Sequence, residues 1–295
     1  MLPEGFCEKM KTLLGPEYDS FLAALALPQA VGLRLNPLKI QPQSFRTEDA
    51  SALSRFDLSP VPWCPTGYYY DPETRPGLHP WHAAGAYYLQ EPSAMAPAEL
   101  LDPQPGERVL DLCAAPGGKS FAAAVQMRDQ GCMISCDIHE NKWKRIRSGA
   151  ERLGLTCIST RTMDACRPDA DLIGTMDVVL ADVPCSGLGV IRKKPEIRFK
   201  DPAELERLPG IQRDILAGLA PCVKPGGVLV YSTCTVLARE NEDVVRDFLR
   251  THPEFSPEAF SLPLPGADAP DGMFTFWPQE HGTDGFFVCK LRRHE

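Results

Sequence analysis

Val109-Leu-Asp-Leu-Cys-Ala-Ala-Pro-Gly-Gly-Lys-Ser120 reads as a short buried strand, a glycine turn and the opening of a helix that continues as Phe-Ala-Ala-Ala-Val. Val109, Leu110 and Leu112 form an apolar run bounded by turn residues, as a parallel strand covered on both faces does. Gly117 and Gly118 allow the backbone to turn with positive φ and to approach a ligand without a Cβ in the way. A strand-turn-helix unit of this kind is the ligand edge of a doubly wound α/β sheet, where cofactors sit beyond the carboxyl ends of the strands. The turn lacks the earlier glycine of a P-loop and the Gly-x-Gly-x-x-Gly of a dinucleotide fingerprint. Alone it is also compatible with a tight turn that holds nothing.

Outward from this stretch, strands and helices alternate, which implies right-handed βαβ units and a mostly parallel sheet. The pattern predicts strands over 108–113, 132–138, 157–162, 177–182 and 227–232, with helices over 119–128, 141–153, 203–222 and 239–251. Glu240, Glu242 and Asp243 fall in the first turn of the last helix, where acids oppose its dipole. Two further strands, 274–277 and 285–291, leave no room for a helix between them and predict an antiparallel terminal hairpin. Upstream, Phe6, Met10, Leu13 and Leu14, then Tyr18, Phe21, Leu22 and Leu25, follow helical spacing on either side of Gly15-Pro16. Strands are expected at Gly32–Pro37 and Val61–Tyr70. The chain thus divides into a small N-terminal α+β domain, residues 1–75, and a main α/β domain, residues 76–295.

With 295 residues, 43% hydrophobic and 24% charged, the chain can bury a full core. No segment approaches the ~20 apolar residues of a membrane helix. Glu4, Glu8 and Lys9 break up any secretory signal, so a cytoplasmic protein without membrane contact is expected. The eleven cysteines are odd in number and scattered, which suits reduced thiols more than a disulfide framework. No Cys-x-x-Cys pair occurs and no metal is expected. The net charge of −8 excludes a surface that grips nucleic acid all over, because phosphate contacts need clustered cations. Two local clusters exist, Lys142 to Arg152 and Arg192, Lys193, Lys194, Arg198 and Lys200. Each alone reads as a solvated charged face.

Three acids follow strands: Asp137, Asp164 and Asp182. An acid ending the second strand can accept both hydroxyls of a ribose, as in dinucleotide folds, and one ending the third can accept an adenine amino group. Singly, each would serve as a helix cap or a loop acid. Cys185 follows Asp182-Val-Pro in a tight turn, and Cys234 follows Val228-Leu-Val-Tyr-Ser-Thr233. Adjacent parallel strands release their loops at one edge, so both thiols could reach the pocket of the glycine turn. Two buried structural cysteines at strand ends fit equally well.

Cys113-Ala-Ala-Pro-Gly-Gly-Lys119, Asp182-Val-Pro-Cys-Ser-Gly187, Arg192-Lys-Lys-Pro-Glu-Ile197, Tyr231-Ser-Thr-Cys-Thr235, Glu240-Asn-Glu242 and Asp284-Gly-Phe-Phe287 together resemble the RNA cytosine-5 methyltransferases of the Sun-domain (Fmu-like) family. Phe6, Met10, Leu14-Gly, Glu17-Tyr, Phe21-Leu and Gly32-Leu-Arg-Leu-Asn36 extend the resemblance to its bacterial ribosomal-RNA branch. It implies a class I, Rossmann-like methyltransferase sheet of seven strands that binds S-adenosylmethionine. Cys113, Ala114, Ala115, Pro116, Gly117, Gly118 and Lys119 would wrap the methionine and sugar. Asp137 would hold the ribose, Asp164 the adenine, and Asp182 would sit between cofactor and target base. Lys142 stands where relatives often have arginine, and some relatives add a further RNA-binding domain after the last strand.

The implied substrate is a cytosine of ribosomal RNA, free or in a ribosomal subunit, with transfer RNA as the alternative. A non-catalytic RNA-binding assembly factor is a second one. Carbon 5 of cytosine is a weak nucleophile, so a thiolate must first add to carbon 6. By resemblance Cys234 is that nucleophile, Cys185 assists its release, Asp182 acts at ring nitrogen 3 and Lys119 orients the acid or lowers the thiol pKa. The target base must be unpaired or extruded. Arg192, Lys193, Lys194 and Arg198 are placed to hold its phosphates, while Tyr68, Tyr69 and Tyr70 are candidates for stacking on flanking bases. A monomer is expected.

Overall fold

The computed structural model of the chain describes residues 4–40 and 55–294. Helices α1 (Glu4–Leu14) and α2 (Tyr18–Ala26) meet at a 3-10 turn, Gly15–Glu17, where Pro16 costs no hydrogen bond. Their apolar faces do not cover the small sheet that follows. Phe6, Met10 and Phe21 instead pack with Leu188, Ile191, Ile197, Val236 and Leu237, far along the chain.

The small sheet contains β1 (Gly32–Leu35), β2 (Ser59–Pro60), β3 (Gly67–Tyr69) and β4 (Tyr87–Leu89), all antiparallel in the order β2-β3-β1-β4. Val61–Thr66, expected as strand, is instead a turn closed by Cys64 N–H to Val61 O and Gly67 N–H to Cys64 O. Pro62 and Pro65 lack the N–H that a ladder needs. The helical turn α3 (Pro80–Ala83) leads into β4. Because β4 pairs with β1, the expected division after residue 75 runs through this sheet.

The sheet is bolted to the main domain through backbone carbonyls. Asn36 Nδ2 donates to Gly85 O and Leu153 O at 3.1 and 2.9 Å, Lys39 Nζ donates to Arg152 O at 2.7 Å, and Arg152 Nη1 donates to Tyr87 O at 3.1 Å. Gly85 has φ +76°, and a Cβ there would lie 1.9 Å from Arg152 O.

Helix α4 (Ala96–Leu101) precedes the main sheet, whose parallel strands are β5 (Arg108–Leu112), β6 (Cys132–Asp137), β7 (Ile158–Thr162), β8 (Met176–Asp182) and β9 (Val223–Thr233). The helices between and after them are α5 (Gly118–Gln126), α6 (Trp143–Leu153), α7 (Pro202–Leu219) and α8 (Glu242–Thr251). Phe121 of α5 slots between two glycines, since a Cβ at Gly117 or Gly149 would come within 2.4 or 2.3 Å of its ring. Helix α7 starts at Asp201, whose carboxylate caps Ala203 N–H at 2.9 Å ahead of Pro202.

After α8 come β10 (Phe255–Pro257), a ribbon of β11 (Phe260–Ser261) and β12 (Asp268–Ala269), then β13 (Met273–Phe276) and β14 (Phe286–Arg293). The expected hairpin is present, β13 pairing antiparallel with β14. It does hold a helix, the four-residue α9 (Pro278–His281), because Trp277 before it packs edge-on against Phe21 of α2. The sheet runs β10-β14-β9-β8-β5-β6-β7, so the seven expected strands are joined by β10 as an eighth. The order reverses between β5 and β8, which opens a crevice at their carboxyl ends.

Candidate active site

Strand register sets the site. Leu112 pairs with Cys136 and Ala181, Asp137 with Thr162, and Asp182 with Ser232, so the residues that leave the strands emerge along one edge. They surround a cavity of about 630 Å³ lined by Cys113, Ala115, Pro116, Lys119, Asp137, Asp164, Asp182 and Cys234.

The glycine turn differs in detail from expectation. Cys113, a non-glycine, takes φ +65°, Gly117 takes φ +108°, and Gly118 begins α5. Gly118 packs closely on β4, since a Cβ there would lie 3.0 Å from the Tyr88 ring. Asp137 accepts from His139 N–H at 3.0 Å and meets Lys142 Nζ at 3.1 Å. Asp164 caps Cys166 N–H at 2.9 Å. Behind the turn, Asp111 is buried, accepts from Ser120 Oγ, and is pushed up to about 7 by burial.

Asp182 bridges both halves of the cavity. Its Oδ2 takes Lys119 Nζ at 2.7 Å and its Oδ1 takes Ser232 Oγ at 2.8 Å. Burial pulls the Lys119 ammonium down, but the Asp182 carboxylate more than offsets this and holds its pKa above the ordinary lysine value. The Sγ atoms of Cys185 and Cys234 lie 3.1 Å apart and both thiols are free. Cys234 is lowered, first by the Cys185 thiol and further by the Lys119 and Lys194 charges, whereas Cys185 is raised well above the ordinary range by the same contact and by burial, with Glu240 adding to it. Of the two, Cys234 is the thiol whose ionised form the site favours.

Residues whose part the sequence reading missed hold the cysteine loops in place. Glu240 is fully buried ahead of α8 and does not serve the helix dipole. Its Oε2 accepts from Ser186 N–H at 2.8 Å and Gln212 Nε2 at 3.1 Å, and Gln212 also donates to Pro184 O. Asn241 accepts from Thr233 Oγ1 at 2.6 Å and donates to Thr235 O at 3.1 Å. In the sequence Glu240-Asn-Glu242 stands out as a motif of the resemblance, with no role at the cysteines attached to it.

Residues 98–292 match the family described as 16S rRNA methyltransferase RsmB/F, and residues 2–92 match the N-terminal domain of 16S rRNA methyltransferase RsmF. The chain belongs to the RsmB/F methyltransferase family. It is 35% identical over 311 residues to ribosomal RNA small subunit methyltransferase F of Cronobacter sakazakii, covering 99% of this chain and 63% of that protein. It is 45% identical over 215 residues to "Probable ribosomal RNA small subunit methyltransferase B" of Bacillus subtilis, covering 71% and 48%. The chain thus spans between about half and two thirds of the length of these relatives. A methyltransferase homolog protein from Pyrococcus horikoshii is 28% identical with a TM-score of 0.84, covering 98% of this chain and 94% of that one. NSun6 from Pyrococcus horikoshii with SFG shares the fold at 22% identity and the same TM-score, covering 99% and 98%.

The cofactor of an RsmB/F methyltransferase is S-adenosylmethionine, and the cavity suits it. Carboxylates at three strand ends match a ribose diol, an amino group and a cationic centre, while Ile138, Met163 and Ile215 offer apolar wall to a purine.

Other RsmB/F residues expected at the RNA stand differently. Lys193 and Lys194 are exposed and line the cavity. Arg192 turns inward: its side chain, 4% exposed, pairs with buried Asp284 at 3.1 Å and donates to Thr283 O and Ala24 O. It ties α2 to the terminal hairpin and has no reach toward phosphate. Arg198 is half-buried, with its Nε enclosed. Tyr68, Tyr69 and Tyr70 are likewise half-buried, Tyr68 and Tyr70 against Leu33, Leu35 and Tyr87, and Tyr69 against the cluster of Trp63 and Phe276. None of the three is displayed as a platform.

Proposed function

We propose that this chain methylates carbon 5 of a cytosine in small-subunit ribosomal RNA through a covalent adduct at carbon 6. The observation that carries this is Cys234 lining one cavity with the Lys119–Asp182 ion pair, with the Cys185 sulfur 3.1 Å behind its own. A structural cysteine at a strand end has no use for a buried cation nearby, whereas an attacking thiolate is activated by one.

S-adenosylmethionine, held by the 113–119 turn, Asp137, Asp164 and Asp182, supplies an electrophilic methyl group. Cys234 Sγ adds to carbon 6 and makes carbon 5 an enamine carbon able to accept that methyl. Negative charge that develops on the ring falls at nitrogen 3, where Asp182 is assigned, and a proton passed from the Lys119 ammonium across its 2.7 Å contact with Asp182 neutralises it there and returns when the ring is restored. After methyl transfer a water in the open cavity takes the carbon 5 proton, the carbon 5–carbon 6 double bond re-forms, and Cys234 departs as the thiolate, which the adjacent Cys185 thiol can stabilise by donating its S–H. Lys193 and Lys194 border the cavity where the strand carrying an extruded base would pass.

The test is incubation of the protein with methyl-labelled cofactor and unmodified small-subunit ribosomal RNA, ribosomal subunits or transfer RNA, followed by mapping of 5-methylcytosine. Label at one cytosine of ribosomal RNA is expected. Label in transfer RNA alone changes the substrate, label at another atom changes the chemistry, and RNA binding without label returns the chain to an assembly factor.

A further inference from the structure

Phe199 is 88% exposed, more than any other large apolar side chain among the described residues. A single exposed apolar side chain is ordinary by itself, so what matters is how this ring is held and what stands near it in the chain. It is not a frayed tip. The 3-10 turn Pro195–Phe199 is anchored by Ile197, 4% exposed, whose Cδ1 sits so close to Gly187 that a Cβ there would lie 2.9 Å away. Ile197 N–H donates to Lys194 O at 3.1 Å and Lys200 N–H donates to Ile197 O at 3.2 Å. The ring is thus displayed by a fixed turn of the catalytic half of the chain.

Its neighbours point to what covers it. Lys200, the next residue, donates from Nζ to Ser186 O at 2.9 Å, which ties the turn to the loop directly after Cys185. Lys193 and Lys194, exposed in the same segment, line the active cavity. On a chain with net charge −8, one short segment that presents Lys193, Lys194, Lys200 and an exposed ring, with Glu196 as its only exposed acid, complements a polyanion that carries flat apolar faces. That is single-stranded RNA, whose bases stack on aromatic rings while its phosphates meet lysines. Extruding a cytosine also removes a stacking partner from the bases on either side, and these need a replacement surface.

We propose that Phe199 is the stacking platform for a base adjacent to the target cytosine, with Lys193 and Lys194 holding the phosphates between that base and the cavity. This rests on the function proposed above. The ring takes the role that Tyr68, Tyr69 and Tyr70, already packed, do not play.

The experiment uses the full chain with Phe199→Ala, Phe199→Leu and Phe199→Trp. The probes are in vitro transcribed small-subunit ribosomal RNA and a short single-stranded RNA around the mapped cytosine carrying 2-aminopurine at each neighbouring position. Base–aromatic stacking predicts that Phe199→Ala weakens RNA binding roughly ten- to a hundredfold. The loss should appear in KM for RNA, with cofactor affinity and melting temperature unchanged. Quenching of 2-aminopurine at one neighbouring position should vanish in Phe199→Ala and return in Phe199→Trp, while Phe199→Leu, apolar without a π face, stays weak. Wild-type RNA affinity in Phe199→Ala, or rescue by leucine equal to that by tryptophan, overturns the platform. Those results with wild-type protein still methylating RNA leave the proposed function standing, whereas wild-type protein that neither binds nor methylates RNA removes both.

Discussion

The sulfur atoms of Cys185 and Cys234 lie 3.1 Å apart although their residues leave different strands 49 positions apart. Contact between them shifts the two thiols in opposite directions, Cys234 down and Cys185 up. The Lys119 and Lys194 charges favour the thiolate at Cys234, and the buried Glu240 carboxylate disfavours one at Cys185. The geometry thereby separates two residues that sequence spacing makes look interchangeable.

The two cysteine variants should differ on one denaturing gel. Cys234→Ala cannot form the bond to carbon 6 and should show neither turnover nor adduct. Cys185→Ala keeps the nucleophile and loses the S–H that steadies the leaving thiolate, so it should accumulate a protein–RNA species that survives denaturation. An adduct in Cys234→Ala and none in Cys185→Ala would reverse the roles.

Thiolate character can be read without RNA. Cys234 should react with iodoacetamide near neutral pH ahead of Cys185, as mapped by mass spectrometry. Lys119→Met removes a cation from Cys234 and leaves Asp182 uncompensated; each pKa unit gained lowers the thiolate fraction about tenfold, and the alkylation rate should fall accordingly. Rates unchanged in Lys119→Met would show that the ion pair does not tune the thiol.

Arg192 and its neighbours should separate into two classes. Arg192→Met strands the buried Asp284 carboxylate, and breaking such a pair costs about 3–5 kcal/mol, so unfolding by denaturant should move to markedly lower concentration. Lys193→Glu with Lys194→Glu should leave the unfolding midpoint in place, weaken RNA binding and flatten its salt dependence, since fewer counterions leave the RNA when fewer of its phosphates are neutralised. The reverse pattern would place Arg192 at the RNA.

Asp111 should give stability a pH dependence of its own. Its carboxyl, ordinarily ionised above about 4 in the unfolded chain, is held up to about 7 by burial in the fold. The folded state therefore holds a proton that the unfolded state has released, and stability falls as pH rises between those values. Asp111→Asn carries no such proton and should gain on the wild type by roughly 2–3 kcal/mol between pH 5 and pH 8. Denaturant midpoints of the cofactor-free protein at both pH values measure this, and parallel behaviour of the two proteins would show the carboxyl ionised throughout.

The alternation of strands and helices from Val109 onward was legible because it rests on local patterns: apolar runs of strand length, glycine turns and helical periodicity. These settle the α/β sheet, its ligand edge and the strand ends that carry Cys113, Asp137, Asp182 and Cys234. The motifs likewise sufficed for the family. What tertiary structure alone decided depends on neighbours distant in the chain. Arg192 and Lys193 are adjacent cations in sequence, yet one faces Asp284, 92 residues away, and the other faces solvent. Glu240 looks like a helix-dipole acid until Ser186 and Gln212 are brought to it. The small sheet needed β4, and α1 and α2 needed the loop after Cys185, before either was placed. Periodicity records which face of an element is apolar, but burial, ion pairing and the thiol that holds a proton are set by which elements meet. That is determined by the packing of the whole chain.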